Sequence, residues 1–311
     1  MQKAKKPGVL GARGRRLRTV TLSLMVLGLI GADGVTAAPQ PEASPEITGS
    51  LPLPEAPYDL RAFITRAGTE GFELAARLQE RGGIVTKPVS WRVFRILTEP
   101  GGGDLVYEGT TPVADFVALP GDYRIDVEYG FARYSRMITL DPERRQSIAF
   151  NLNVGGLRVL SRLAADVPVS FSTSHRIFAL TGTSRAHLVA EDAVPGDLLR
   201  LPAGRYRIES HLEPGNAVAR AEVEVKPGML SAVEIDHKAG IASFAVANDA
   251  QARAWHILSP SGQIAATVDG AAPAVVLAPG TYWVQAAAGA HTMTRSFTVS
   301  AGRHVQVTLS R

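Results

Sequence analysis

Apolar and polar residues alternate in short runs through most of the chain after residue 70, and Gly, Pro, Asn or Asp bound these runs. The stretches Tyr123–Tyr129, Ala221–Val225 and His304–Leu309 each place an apolar residue at every second position. A period of two is typical of β-strands that bury one face and expose the other. The pattern therefore predicts an all-β protein.

One corner motif occurs three times along the chain. Its copies are Leu119-Pro120-Gly121-Asp122-Tyr123, Leu201-Pro202-Ala203-Gly204-Arg205-Tyr206 and Leu277-Ala278-Pro279-Gly280-Thr281-Tyr282. In each copy the glycine stands two residues before the tyrosine, and an alternating run begins at the tyrosine. Pro and Gly together mark turns. We predict that the structural corner of each repeated unit consists of Gly121 with Tyr123, Gly204 with Tyr206, and Gly280 with Tyr282.

The spacing of the corners divides the chain into three units, 71–153, 156–236 and 240–311. Each unit has room for several short strands separated by turns, which fits a small two-sheet β-sandwich. Because Gly155-Gly156 and Ala239-Gly240 leave almost no linker, we expect neighbouring units to touch.

The start of the first unit is ambiguous on composition alone. Phe72–Arg81 is rich in helix-forming residues. However, Gly71-Phe72-Glu73-Leu74 aligns with Gly156-Leu157-Arg158-Val159 and with Gly240-Ile241-Ala242-Ser243, where apolar residues alternate as in a strand. We therefore predict that a strand begins at Gly71.

The segment before the repeats has the features of an export signal and a tether. Residues 1–37 combine a basic start, an apolar stretch and a run of small residues, as in a secretory signal peptide; an uncleaved membrane anchor is the alternative. Residues 38–57 are rich in proline, which predicts an extended polyproline-type linker that pairs with no sheet. Residues 58–70 fit either a leading strand or a short helix.

Charge and cysteine content narrow the compartment and the partners. The formal net charge is +4, but the positive excess lies in residues 1–37 and the remainder is nearly neutral. This excludes nucleic acid as the expected partner. The chain has no cysteine, so it has no disulfide, which favours a bacterial envelope protein, periplasmic or secreted, over a eukaryotic secreted one. After signal removal we expect no integral membrane span.

The repeated corner, followed at once by a Tyr-led strand and a hairpin, resembles tandem bacterial carboxypeptidase-regulatory-like and transthyretin-like β-sandwich domains. Immunoglobulin-like domains are a neighbouring resemblance, although their core cysteine is replaced by Ile125, Ile208 and Val284 at the position two residues after the tyrosine. The resemblance implies spacers, interaction modules or accessory domains of envelope proteins. It implies no catalytic residues.

The sequence offers no catalytic or metal-binding motif. None of the 7 histidines forms a pair at helical spacing beside a carboxylate, and there is no nucleophile elbow, phosphate loop, dinucleotide fingerprint or calcium loop. We predict no metal, no cofactor and no enzymatic activity. The enzyme alternative requires a cleft at a domain junction, where histidines and carboxylates converge.

Aromatic residues provide the remaining candidate for a binding site. Trp91, Phe171 and Trp255 align between repeats and are predicted to be buried core residues. If Tyr282 points inward, Trp283 points to the opposite face, where the other units carry Arg124 and Arg207.

An exposed Trp283 would contact a protein partner or stack on a sugar ring; the alternative is that it packs under a loop or against the second unit. The sequence thus predicts a non-enzymatic interaction or scaffold protein whose partner is an envelope protein or polysaccharide. A carbohydrate-binding or adhesive protein is the alternative, and it requires a second aromatic residue beside Trp283.

Overall fold

The computed structural model describes residues 46–52, 70–97, 103–182, 185–247, 252, 254–288 and 291–310, and for 46–52 it describes the backbone only. All secondary-structure elements within these ranges are β-strands, numbered β1 to β23 in chain order. The protein is therefore all-β, as predicted. The predicted signal peptide, residues 1–37, lies outside the described residues, as does the lead-in 58–70 apart from Glu70.

The first β-sandwich follows β1 (Glu46–Pro52) in the chain. Its strands are β2 (Gly71–Arg77), β3 (Val89–Ile96), β4 (Gly103–Thr111), β5 (Val113–Val117), β6 (Gly121–Tyr129), β7 (Ala132–Leu140) and β8 (Arg145–Asn151). They form a three-stranded sheet in the order β5-β2-β8 and a four-stranded sheet in the order β4-β3-β6-β7. The prediction of a strand from Gly71 is confirmed, although its residues favour a helix.

The second sandwich repeats this plan with two additional strands in one sheet. Its strands are β9 (Val154–Ala164), β10 (Val167–Pro168), β11 (Ser172–Thr181), β12 (Arg185–Ala193), β13 (Leu198–Pro202), β14 (Gly204–Glu213), β15 (Ala217–Val225) and β16 (Met229–Asp236). One sheet has the order β1-β16-β9-β10, with β13 also paired to β9, and the other has the order β12-β11-β14-β15.

The third sandwich returns to the plan of the first. Its strands are β17 (Gly240–Val246), β18 (Ala254–Leu258), β19 (Ile264–Asp269), β20 (Ala274–Leu277), β21 (Gly280–Ala288), β22 (His291–Val299) and β23 (His304–Leu309). They form sheets in the orders β20-β17-β23 and β19-β18-β21-β22. In all three sandwiches the first and last main strands run parallel: β2 with β8, β9 with β16, and β17 with β23.

Each sandwich has its own apolar core between its two sheets. The largest buried side chains of the first core include Trp91, Phe72 and Phe150, and those of the third include Trp255 and Phe244. The second core contains smaller side chains, among them Leu157, Ile177 and Ile208. A fourth cluster, around Leu163, Leu212 and Val276, joins the second sandwich to the third.

The polyproline prediction for residues 38–57 needs a correction at Glu46–Pro52. This stretch forms β1 and pairs antiparallel with β16, from Glu46 opposite Glu234 to Pro52 opposite Met229. Proline cannot donate to a ladder, but within this stretch proline stands only at the last position, so the preceding residues keep their N–H groups. The rest of the predicted linker lies outside the described residues.

The alignment of the third unit also needs a correction, by one residue. Gly71, Gly156 and Ile241 are equivalent, because they pair with Val117, Arg200 and Val276 at the same place in each sheet. Ala242 and Phe244 are therefore the core residues that correspond to Phe72 and Leu74. A shift of one residue exchanges the two faces of a strand. The shift is not evident in the sequence, because Gly240 looks like the counterpart of Gly71 and Gly156 although Ile241 is their structural equivalent.

Candidate functional site

The three corner tyrosines have the same buried geometry. Tyr206 Oη donates to the carbonyl oxygen of Pro202 at 2.7 Å, and Tyr282 Oη donates to that of Ala278 at 2.9 Å. Tyr123 Oη donates in the same way to Leu119 O. Each bond spans four residues and ties the strand to the end of the preceding one, as in the tyrosine corner of immunoglobulin-like folds. Burial raises the pKa of Tyr206 to about 12, so its hydroxyl remains a donor.

The corner glycines begin the strands that carry the tyrosines. Gly121, Gly204 and Gly280 are the first residues of β6, β14 and β21. Gly121 has a φ of 147°, a conformation that favours glycine. A Cβ at Gly204 or Gly280 would meet the tyrosine ring at 3.8 or 3.6 Å, which is ordinary contact. The corner glycines and tyrosines therefore have a structural role and present no reactive side-chain group at the surface.

Trp283 lies on the outer face of the four-stranded sheet of the third sandwich and is 45% exposed. Its cross-strand neighbours are Leu258 on β18 and Ser296 on β22. Leu258 in turn pairs with Ile264 on β19, which is 67% exposed. We call Ile264, Leu258 and Trp283 the outer row. It is an apolar strip across three strands, in which Ile264 and Trp283 are exposed and Leu258 is partly buried.

The same position in the other sandwiches is also partly apolar, but it carries arginine in place of tryptophan. In the first sandwich, Phe94 pairs with Leu105 and Arg124, and the guanidinium of Arg124 lies 4.4 Å over the Phe94 ring. This cation–π contact covers the ring with a charged group.

In the second sandwich, Phe178 pairs with Leu188 and Arg207. Arg207 also forms a salt bridge with Glu222 at 3.0 Å. In both of the first two sandwiches, an arginine therefore lies beside the phenylalanine. The outer row of the third sandwich differs because Trp283 adds apolar surface where arginine stands in the others.

The core position of Trp91 and Trp255 is occupied by His175 in the second sandwich, which corrects the alignment of Phe171 with the two tryptophans. Trp91, His175 and Trp255 pair with Val127, Ser210 and Ala286, at equivalent places on the Tyr-led strands. Phe171 lies outside this core, partly buried against the cluster between the second and third sandwiches. The sequence does carry a signal for this position: His175 and Ile177 alternate along β11, so both side chains face the core.

Four polar residues, among them His175 at the tryptophan position, form a chain of hydrogen bonds. Ser161 Oγ lies 3.0 Å from His175 Nε2 and 2.9 Å from Ser210 Oγ. Ser210 Oγ also lies 2.8 Å from His237 Nε2. The chain of hydrogen bonds Ser161, His175, Ser210 and His237 is called the polar core below.

The polar core brings serine and histidine together, but in an inaccessible place. Burial lowers the pKa of both His175 and His237 to about 4, so both rings are neutral near pH 7. Ser210 is fully buried, and a nucleophile must reach its substrate. The polar core therefore supports packing and hydrogen bonding, and Ser210 is not placed to act as a nucleophile.

Among the described residues, no three His, Asp or Glu side chains come close enough together to hold a metal ion. The described ranges contain no helix with the length and apolar character that crossing a membrane requires.

Comparison with known proteins identifies one family for part of the chain. Residues 246–310, within the third sandwich, match the Rhizobiales growth-associated tandem repeat domain. No curated protein matches the chain. The repeated β-sandwich architecture agrees with a tandem-repeat family.

Several solved structures of bacterial proteins, two pilins among them, are similar at low identity. The Bacillus anthracis TIE protein is 13% identical over 77% of this chain and 50% of its own, with a TM-score of 0.24. A streptococcal ancillary pilin is 12% identical over 77% and 98%, at 0.26, and the minor pilin GBS52 of Streptococcus agalactiae is 9% identical over 50% and 94%, at 0.28. The chain thus spans half of the TIE protein structure. At these TM-scores the likenesses carry no inference about function.

Proposed function

We propose that this chain is an exported, non-enzymatic interaction or scaffold protein of the bacterial cell envelope. The observation that carries the proposal is the outer row, in which a half-exposed Trp283 continues an apolar strip formed by Leu258 and Ile264. Tryptophan contributes strongly to protein interfaces because it buries a large area at low entropic cost. The function would be the recruitment of a protein partner to this face.

The sandwiches provide a firm support for such a surface. The outer row lies on adjacent strands of one sheet, above a core that contains Trp255 and Phe244. Side chains on paired strands keep their relative positions better than side chains on loops. The third sandwich would therefore present the row with little loss of entropy on binding.

The cellular setting rests on the sequence and on the family that matches the third sandwich. The export signal predicted in residues 1–37 supports a periplasmic or secreted protein. The description of the matching family, growth-associated and from Rhizobiales, supports a bacterial protein with a role associated with growth. We retain the carboxypeptidase-regulatory-like and transthyretin-like resemblance as the finer proposal for the type of sandwich.

Carbohydrate binding or adhesion is the alternative, and the outer row gives it less support. Sugar-binding surfaces commonly use aromatic rings as stacking platforms, and this alternative requires a second aromatic residue beside Trp283. The cross-strand neighbours of Trp283 are Leu258 and Ser296. An aliphatic neighbour favours a protein side chain as the occupant.

The test is photocrosslinking in cells from position 283, with the same photoreactive residue at Thr298 as control. Thr298 is exposed on the adjacent strand β22. We expect one dominant protein adduct from position 283 that is missing from position 298. Glycan adducts would support the alternative, and the same adducts from both positions would contradict a site at the outer row.

The variant Trp283→Arg separates binding from folding. Arginine already occupies this position in the first two sandwiches, as Arg124 and Arg207, so the fold accepts it. We expect the variant to keep its denaturation midpoint and to lose co-purification of the crosslinked partner. Unchanged co-purification would overturn the proposal.

A further inference from the structure

The outer row belongs to a larger area of the third sandwich that carries no charged side chain. Two adjacent rows of cross-strand neighbours cross all four strands of the sheet β19-β18-β21-β22. With histidine counted as neutral, none of the eight side chains in these rows is charged. We call them the uncharged face: Ile264, Leu258, Trp283 and Ser296 in the first row, and Thr267, His256, Gln285 and Thr294 in the second.

The same two rows carry charged side chains in the first sandwich. Arg92 pairs there with Glu108 and Asp126, and Arg124 stands opposite Phe94. Arg124 Nε lies 3.3 Å from Asp126 Oδ1. Burial of charged groups is costly because they lose their hydration, so this face of the first sandwich is suited to solvent.

The second sandwich carries charge at the same places. Its rows contain Arg176, Arg207, Glu209, Arg220 and Glu222. Arg207 pairs with Glu222 at 3.0 Å, and Arg220 pairs with Glu209 at 2.8 Å. The third sandwich therefore differs from both others in lacking charge in these rows. Depletion of charge around an exposed tryptophan is characteristic of the core of a protein interface.

The order of residues in each row makes the uncharged face complementary to itself. A two-fold axis that runs along the strands between β18 and β21 places β18 of one copy over β21 of the other, and β19 over β22. Two copies of one sheet have the same twist, so they can pack face to face at about 10 Å. Leu258 of each copy then faces Trp283 of the other, and His256 faces Gln285. Apolar groups meet apolar groups, and an imidazole meets an amide.

We propose that the uncharged face binds the same face of a second copy, so that two chains form a two-fold symmetric dimer. This inference rests on the proposed function, because it names the protein that the outer row recruits. The occupant is a second copy because the two-fold axis matches apolar residues with apolar ones and hydrogen-bonding residues with each other, and it brings no like charges together. Such an interface is isologous and closes at two chains.

The size of the face predicts a dimer that dissociates on dilution. Its four strands have 5, 6, 9 and 9 residues. At a spacing of about 4.8 Å between strands and about 3.4 Å between residues, the sheet covers roughly 19 Å by 24 Å. Two such surfaces bury roughly 1,000 Å² in total, which is at the lower end for specific interfaces.

The first test is sedimentation velocity of the full chain over a concentration series, with Trp283→Arg and the matched control Leu160→Arg. Leu160 is 47% exposed, close to the 45% of Trp283, but it lies on β9 in the second sandwich. We expect the average mass to rise towards two chains for the unmodified protein and for Leu160→Arg, and to stay at one chain for Trp283→Arg. A monomer at every concentration, or unchanged association of Trp283→Arg, would overturn the proposal.

The second test checks the two-fold arrangement. Because the chain has no cysteine, Thr267→Cys and Thr294→Cys each introduce a single thiol, at exposed positions of the edge strands β19 and β22. The proposed axis brings Thr267 of one copy to Thr294 of the other and keeps identical positions three strands apart. We expect a short bismaleimide to join the two variants when they are mixed, in much higher yield than it joins either one alone. An equal or higher yield from one variant alone would overturn the proposal.

Photocrosslinking from position 283 separates this inference from the proposed function. An adduct that consists of two copies of this chain and no other protein supports both. A dominant adduct with a different protein would overturn the dimer and leave the proposed function standing. The absence of any protein adduct would overturn both.

Discussion

Ser210 Oγ lies 2.8 Å from His237 Nε2 inside the second sandwich, where both side chains are shielded from water. The first and third sandwiches have the core tryptophans Trp91 and Trp255 where the second has His175, the cross-strand partner of Ser210. The second depends instead on a chain of hydrogen bonds with two neutral histidines. Its stability should therefore respond to pH in a way that the stability of the other sandwiches does not.

We predict that acid destabilises the second sandwich first. Burial lowers the pKa of His175 and of His237 from 6.5 to about 4. The unfolded chain therefore binds more protons than the folded one between these values, and stability falls as the pH decreases from about 6.5 towards 4. A shift of this size is worth about 3 kcal/mol for one histidine. Denaturant unfolding over this pH range measures the effect.

Exposed histidine provides the control for the pH prediction. His256 lies on the exposed face of β18, so His256→Gln is the matched substitution outside the polar core. His175→Gln and His237→Gln should each flatten it, since each removes one titrating group. If the slope survives in both of these variants, the polar core is not its source.

The corner tyrosines support a second prediction, on stability alone. Tyr206→Phe removes the donor to Pro202 O and leaves that carbonyl without this partner, at a cost of about 1 to 2 kcal/mol. Tyr206→Ala also removes the buried ring and should cost about 3 to 5 kcal/mol. Denaturant midpoints measure both effects. Tyr134→Phe is the control, because Tyr134 is 44% exposed, and an equal loss there would contradict the corner assignment.

The repeated corners show what the sequence predicts well. Tyr123, Tyr206 and Tyr282 stand at the same place in three alternating runs, so the strand that contains each of them and the face that each buries follow from a period of two. The outward direction of Trp283 follows from Tyr282 by the same argument. An alternating pattern determines the direction of each side chain from residues only a few positions away, so no information from distant parts of the chain is needed.

The core of the second sandwich shows where the sequence was insufficient. Pro168-Val169-Ser170-Phe171 is similar to Pro88-Val89-Ser90-Trp91, but the sheet partner decides the alignment, and Ser210 lies opposite His175. Pairing between strands depends on contacts between residues far apart in the chain. For the same reason the sequence indicated that neighbouring units touch but not that Asn216 and Val276 do.

Asn216 carries a third prediction, on the junction between the second and third sandwiches. Its side chain accepts a bond from Ala278 N at 3.0 Å and donates to Tyr282 Oη at 3.1 Å. Asn216→Ala removes both, at a cost of about 1 to 3 kcal/mol. We expect faster hydrogen exchange at the amide of Val276, which donates to Pro214 O in this junction.

The variant Asn216→Asp refines the test at this junction. Aspartate keeps the acceptor for Ala278 N and loses the donor to Tyr282 Oη, so the exchange rate should fall between those of the unmodified chain and the alanine variant. Equal exchange at Val276 in all three proteins would show that the Asn216 side chain does not hold the junction closed.

Gly130 carries the last prediction, on the junction between the first and second sandwiches. Its φ is 63°, and a Cβ there would lie 2.6 Å from Arg200 O, which is backbone of the next sandwich and cannot give way easily. Gly130→Ala should therefore separate the first two sandwiches and lower the unfolding midpoint. Gly182 is the matched control, since its φ is 66° and a Cβ there meets nothing within 4 Å. Both variants introduce the same local backbone strain, so only the additional loss at Gly130 measures the junction. Equal losses would mean that the two sandwiches are not held together at this turn.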